Sequence, residues 1–121
     1  MADQMSKVTI ITRREKFQEL REEMLKIGIM GMTLTEVRGC GIQSGKEIIV
    51  RGVKKQVHLL DKIKVDIVVC TVPVDDVIEV AKKVLRTGQI GDGKIFVSDI
   101  KRVVRIRTGE EDKIALSNCI N

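Results

Sequence analysis

Between Arg86 and Arg107 the chain reads RTGQIGDGKIFVSDIKRVVRIR, a stretch with the residue types that a polyphosphate requires. Gly88, Gly91 and Gly93 permit tight turns that bring backbone N–H groups close to a ligand. Asp92 lies among them, and Lys94 stands where the loop leads into a run rich in Ile and Val. That run reads as one long strand from Ile95 to Arg107, with a bulge near Asp99. On such a strand Arg105 and Arg107, two residues apart, share a face. Bare amides, one lysine and paired arginines describe a nucleotide-phosphate site. The competing reading is a glycine-rich turn with a solvated lysine.

Gly88 to Lys94 also satisfies the opening G-x-x-x-x-G-K of the P-loop pattern. The next residue is Ile95, however, where a Ser or Thr should hold magnesium. The P-loop needs a strand before it and a helix after it, and here the order is reversed. The P-loop reading therefore fails.

The elements that must position this loop follow from periodicity. Lys7–Thr12 is β-branched and reads as a first strand. From Glu15 to Ile27 the residues Phe17, Leu20, Met24 and Ile27 share one helical face, and Gly28 supplies a stop. Met32–Arg38 is a second strand. Gly39–Gln56 is glycine-punctuated and basic, long enough to imply binding, or alternatively a β-ribbon around Glu47–Arg51, or a ribbon base with a mobile tip. Lys62–Cys70 is a third strand, with Ile63, Val65, Ile67 and Val69 on one face. Pro73 opens a second helix with Asp75 and Asp76 at its positive end and Val74, Val77, Ile78, Ala81 and Val84 on the buried face. The tail after Thr108 has no assignable pattern.

Two βαβ units emerge, 7–38 and 62–107, which predicts an α+β fold, a ferredoxin-like double βαβ sandwich in a single domain over 1–121. Ile and Val on both sides of strands 62–70 and 95–107 predict that a partner subunit covers the second sheet face.

With 121 residues the chain can bury a core without staples. It has two Phe and neither Trp nor Tyr, so that core must be aliphatic. The net charge of +5 and pI near 9.3 invite a nucleic-acid reading. The near absence of aromatic stacking residues and of a concentrated basic helix face argues against it. Cys40, Cys70 and Cys119 show no CxxC spacing, which fits reduced thiols. No signal peptide and no apolar run of membrane-spanning length is visible, so a soluble, cytoplasmic protein is expected. No HExxH, GxSxG, paired-carboxylate or Cys–His motif supports an enzyme, although a small phosphate-handling enzyme on the same sandwich is the alternative from another class.

The segments Thr87-Gly-Gln-Ile-Gly-Asp-Gly-Lys-Ile-Phe-Val97 and Arg102-Val-Val-Arg-Ile-Arg-Thr-Gly-Glu-Glu-Asp112 closely resemble the C-terminal signature of the PII nitrogen regulatory proteins. Gly28-Ile-Met-Gly-Met-Thr-Leu-Thr-Glu-Val37 looks like that family's second-strand entry, and Arg51-Gly52 like its T-loop. The register holds without a gap from about Lys7 to Asp112.

The resemblance implies a homotrimer with ATP or ADP in clefts between subunits, a T-loop at about 39–58, a nucleotide loop at about 86–94 and a C-terminal segment at 108–121. It implies phosphate ligands at Gly91, Gly93, Lys94, Arg105 and Arg107, with Gly41 and Asp92 in the same nucleotide site. Thr33, Asp66 and the backbone near Val68 match the adenine and ribose pocket. Gln43 matches the ligand to Mg and 2-oxoglutarate, and Lys62 the lysine facing the acid's distal carboxylate. Such a 2-oxo acid chelates Mg²⁺ through hard oxygens together with ATP phosphates, which makes acid binding conditional on nucleotide. Arg51, with Gly52, matches the T-loop arginine that docks on an ammonium channel. Nitrogen-metabolism enzymes and transcription regulators are further implied partners.

Departures from the family pattern carry expectations of their own. Lys55 holds the position of the modified T-loop tyrosine, which excludes uridylylation there. Ile42 replaces an arginine that usually assists with phosphate, and Lys54 and Lys55 make a usually acidic segment basic. Cys40 replaces an aromatic and is expected as a small buried filler, a redox-sensitive thiol being the alternative. His58 reads as an ordinary ribbon residue. A divergent sensor for another acid or bicarbonate is the second reading of function, and Gln43 together with Lys62 favours 2-oxoglutarate.

Overall fold

A computed structural model describes residues 4–40, 49–50, 53–54, 59–70 and 72–117. Strand β1 (Met5–Thr12) leads through a single 3-10 turn (Arg14–Lys16) into helix α1 (Phe17–Lys26) and strand β2 (Thr33–Cys40). A short ribbon, β3 (Ile49–Val50) with β4 (Val53–Lys54), precedes strand β5 (Leu59–Val69). Helix α2 (Val74–Leu85), strand β6 (Lys94–Ile100) and helix α3 (Asp112–Ser117) complete the chain.

The main sheet is antiparallel in the order β2-β5-β1-β6, the ferredoxin-like arrangement expected from two βαβ units. Alternation decides its faces. Val8, Ile10, Ile63, Val65, Ile67 and Val69 are buried under the helices. Leu20 and Met24 of α1, with Val77, Ala81, Val84 and Leu85 of α2, close that core. Phe17 and Ile27 pack at its margin. The core is aliphatic throughout.

Three expectations need correction. The last strand ends at Ile100, in unbroken register with β1 and with no bulge near Asp99. Its ladder ends where Ile100 pairs with Met5, the first residue of β1. Residues 101–112 instead fold back on themselves, with Val104 bridging Glu111 and Arg105 donating its N–H to the Glu110 carbonyl at 2.8 Å. Arg105 and Arg107 therefore do not share a strand face. The second correction concerns the open sheet face. On β5 it carries Lys62, Lys64, Asp66 and Val68, so Val68 is its only large aliphatic residue there between 62 and 69. On β6 this face carries the exposed Phe96, in register with Thr9 and Asp66, and further exposed apolar side chains lie at Val97 and, in the fold-back, at Val104 and Ile106, where Ile106 is 100% exposed. Third, Cys40 is exposed rather than a buried filler, because β2 is an edge strand and Cys40 is its last residue.

The β-ribbon alternative for the basic segment is present in β3 and β4. Gly41, Ile42, Gln43, Arg51, Gly52, Lys55 and His58 lie outside the described residues, as does Cys119.

Two glycines require their type. Gly91 and Gly93 have φ of +106° and +104°, and a Cβ on Gly93 would sit 1.8 Å from the Ile11 carbonyl oxygen. Backbone meets backbone there, and no rotamer change can make room. Gly93→Ala should cost on the order of 3 kcal/mol, overpacking and backbone strain together. Gly109→Ala, at φ +75° with open space around it, should cost about 1 kcal/mol. Urea unfolding of both variants checks this, and equal losses would remove the close-packing argument.

Candidate functional site

The glycine loop between α2 and β6 is built around one carboxylate. Asp92 accepts hydrogen bonds from the Thr87 N–H at 2.8 Å, the Gly88 N–H at 2.9 Å, the Thr87 hydroxyl and the Arg13 guanidinium at 2.5 Å. The Thr87 hydroxyl first, then Arg13 and the backbone N–H groups, hold this carboxyl well below the usual aspartate range. Its side chain is 24% exposed and that of Arg13 29%, so the pair sits at the protein surface, only partly shielded from water. The buried Thr12 hydroxyl donates to the Asp92 carbonyl at 2.9 Å. Arg13 also donates to the Ile90 carbonyl at 2.8 Å, and the Lys62 ammonium to the Gly91 carbonyl at 2.7 Å.

Lys62 and the loop, expected to serve the acid and the phosphates, are thus in direct contact. Lys94 opens β6 opposite Ile11 and is exposed beside them. Arg13 and Thr12 were not among the expected site residues. They lie far from the loop in sequence, and no spacing pattern connects residue 13 with residue 92.

A second group of expected residues gathers at a cavity of about 670 Å³. Thr33, Asp66, Val68, Arg105 and Arg107 all line it. Thr9 fixes Asp66 by a 2.6 Å hydrogen bond from its hydroxyl. The walls are completed by Gly28–Met32, by Cys70 and Val72, and by Ala115 and Leu116 of α3, none of them foreseen as site residues. Its volume lies within the range of small-ligand sites, ~300–1,000 Å³.

Arg105 is occupied from within. Its guanidinium donates to the Glu110 carboxylate at 2.7 Å and to the carbonyls of Ile114 and Ala115 at 3.0 and 3.1 Å. A guanidinium has five N–H donors, so part of its capacity remains for an anion. Arg102 pairs with Glu111 at 2.6 Å, and that contact holds the Glu111 carboxyl below its ordinary range. Asp112 takes φ +55° and locks the fold-back by exchanging bonds with Val103.

The two groups do not converge on one point. Lys62 and Asp66 lie four residues apart on the open face of β5, about 13 Å at ~3.3 Å per residue. The loop cluster stands at one end of the strand and the cavity at the other. Among the described residues no group of His, Cys, Asp and Glu side chains could hold a metal ion, and no helix is long and apolar enough to cross a membrane.

Comparison with known proteins agrees on one family. The description "Nitrogen regulatory protein P-II" matches residues 5–110. A nitrogen regulatory PII-like protein of Bacillus subtilis is 48% identical over 96% of this chain and 100% of its own length. The nitrogen regulatory protein GlnK of Escherichia coli is 46% identical over 93% of this chain and all of its own. Among solved structures, a B. subtilis GlnK–ATP complex superposes with a TM-score of 0.79 at 46% identity, covering 93% of this chain and 98% of that one. Arabidopsis thaliana PII bound to citrate gives 0.75 at 38% identity, covering 93% and 92%.

The depressed pKa of Asp92 has a stability consequence whose sign is fixed. A group with a lowered folded pKa stabilises above its unfolded value, and that contribution is lost as pH falls through the folded value. The stability gap between wild type and Asp92→Asn should therefore be constant from pH 7 to 5. It should begin to close only below about pH 4, the ordinary aspartate range. Thermal unfolding across pH tests this, and a gap that already closes between pH 7 and 5 would contradict the clamp.

Proposed function

The chain belongs to the nitrogen regulatory protein P-II family, whose members are signal-transducing regulators and not enzymes, and from that footing we propose a specific sensor. It is a cytoplasmic homotrimer that binds ATP or ADP between subunits and reads 2-oxoglutarate together with Mg. It controls nitrogen assimilation by docking its T-loop on targets such as an ammonium channel, and Lys55 leaves no tyrosine to uridylylate.

One observation carries the reading: a cavity lined by two arginines and a glycine loop flanked by lysines lie at opposite ends of β5, unlike patches on one chain. The cavity with Arg105 and Arg107 has a volume suited to a nucleoside. The loop with Lys62 and Lys94 offers cations and glycine backbone. Unlike patches on one surface form heterologous contacts, and a rotation that closes turns such contacts into a ring. The exposed apolar side chains of β6 and of the fold-back support the same conclusion, since a second copy would take them out of water. The B. subtilis relative whose structure holds ATP supports adenine nucleotide as the ligand.

Gly91, Gly93 and Lys94 serve the phosphates from one subunit, with Gly41 and the Asp92 backbone. Arg105, Arg107, Thr33, Asp66 and Val68 serve the nucleoside side from its neighbour. Lys62 faces the acid's distal carboxylate, Gln43 joins the Mg site, and Arg51 with Gly52 forms the docking tip. An oxygen-rich Mg site made from ATP phosphates, an amide and a 2-oxo acid requires the γ-phosphate, so the acid binds with ATP and not with ADP.

Charge-assisted hydrogen bonds contribute ~1.5–3 kcal/mol each, so Lys94→Ala and Arg105→Ala should each weaken ATP about ten- to a hundred-fold with the fold intact. Mixed trimers distinguish a shared site from one within a chain. When the two variants exchange subunits at equal amounts, about one quarter of the sites regain both residues in a shared site, and none do otherwise. Calorimetry counts the restored sites; zero restoration would return the site to a single chain. Titration of 2-oxoglutarate onto the MgATP form should release heat that is absent with ADP. Silence in both states would favour the second reading, a sensor of another small acid.

A further inference from the structure

Arg13 terminates β1 and precedes the turn into α1, outside every segment assigned a role above. We propose that Arg13 is the positioning residue of the nucleotide loop: it turns the Asp92 charge inward and leaves the Ile90 and Gly91 amides facing a bound phosphate. The proposal deepens the nucleotide reading and rests on it.

The guanidinium reaches three parts of the loop at once: the Asp92 carboxylate at 2.5 Å, the Ile90 carbonyl at 2.8 Å and the Thr87 hydroxyl at 3.5 Å. A planar fork of donors can serve acceptors on both sides of a turn, which a single ammonium cannot. Inside the loop the amides of Thr87 and Gly88 go to Asp92, and that of Gln89 goes to the Thr87 hydroxyl. The amides of Ile90 and Gly91 have no acceptor among the described residues. The amides of Asp92 and Gly93 have none either, but Ile90 and Gly91 are the pair that lie beside Arg13 and Lys62.

Those two amides have cationic surroundings. A Cβ on Gly91 would lie 2.8 Å from an Arg13 Nη and 3.5 Å from Lys62 Nζ, so both charges flank the same glycine. Asp92 is the difficulty that Arg13 answers. A carboxylate in a loop that receives phosphates repels them unless a cation neutralises it and hydrogen bonds hold it inward. The hydrogen bonds that converge on it hold its pKa below the usual aspartate range and so favour the charged form, and arginine is a cation that does not titrate away.

The test uses the full-length protein with Arg13→Met, Arg13→Lys, Asp92→Asn and the double variant Arg13→Met/Asp92→Asn. Arg13→Met should weaken ATP and ADP at least about tenfold and leave adenosine, which carries no phosphate, unchanged. Arg13→Lys should recover part of the loss. Because Arg13 acts through Asp92, its loss should cost less in the Asp92→Asn background. Amide exchange should accelerate at 87–91 and stay constant in β1 and β5. Unchanged ATP affinity in Arg13→Met, or an equal loss for adenosine, would overturn the proposal. Should Arg13→Met fail to fold, Arg13→Lys carries the same comparisons. If the wild type itself ignores ATP, the nucleotide reading falls, while unchanged exchange at 87–91 in the variant would separately refute the positioning role.

Discussion

The close approach of Gly93 to the Ile11 carbonyl, which leaves no room for a Cβ, sets the geometry from which the rest of the loop follows. A contact of that kind has no slack, because neither partner can rotate away. It anchors the start of β6 to the end of β1 and places the next residues of each strand in fixed relation. Asp92 then falls over Thr12 and Arg13, and Gly91 under Lys62. Four donors converge on one carboxylate as a consequence. A loop held by its own hydrogen bonds loses little conformational freedom on binding.

Most of the cations at the loop and the cavity have partners within the chain. Arg13 holds Asp92, Lys62 holds the Gly91 carbonyl, and Arg105 holds Glu110 and the last carbonyls of α3. Binding under the proposed reading is therefore an exchange of partners and not a gain of new ones, except at Arg107 and Lys94, which stand exposed. Net gains from exchange are smaller than the strength of any single charged contact.

What the sequence could disclose divides along physical lines. Alternation in 62–70 and the helical faces of α1 and α2 were legible because burial repeats with the element's own period. The end of β6 was not, because Val103, Val104 and Ile106 have the same strand-forming character as the residues before them. Pairing stops where β1 runs out, which is a property of the neighbouring strand and invisible in the segment itself. Cys40 was misjudged for a related reason, since edge or centre is decided by sheet order. Glycine spacing marked a tight loop, which is present, and the resemblance marked Lys62, Asp66, Arg105 and Arg107, which the structure brings to that loop or to the cavity. Arg13 carried no signal at all. Its partners lie more than seventy residues away, and only the antiparallel neighbours of β1 bring them together.

The contact between Lys62 and Gly91 gives the proposed sensor a direct way to connect its two ligands. Lys62 stands on β5 between the loop and the cavity, and its ammonium holds the carbonyl of Gly91, the glycine proposed to face the phosphates. A carboxylate that draws the ammonium away takes a hydrogen bond from the loop, and a nucleotide that straightens the loop changes what the ammonium can reach. Each ligand thereby alters the affinity of the other by the same factor, as linkage requires. The coupling cannot exceed the difference in how well Lys62 and Gly91 are satisfied in the two states, a charge-assisted hydrogen bond or about 1.5–3 kcal/mol. One hydrogen bond is enough, because a factor of ten or more in apparent affinity turns a concentration ratio into a change of state.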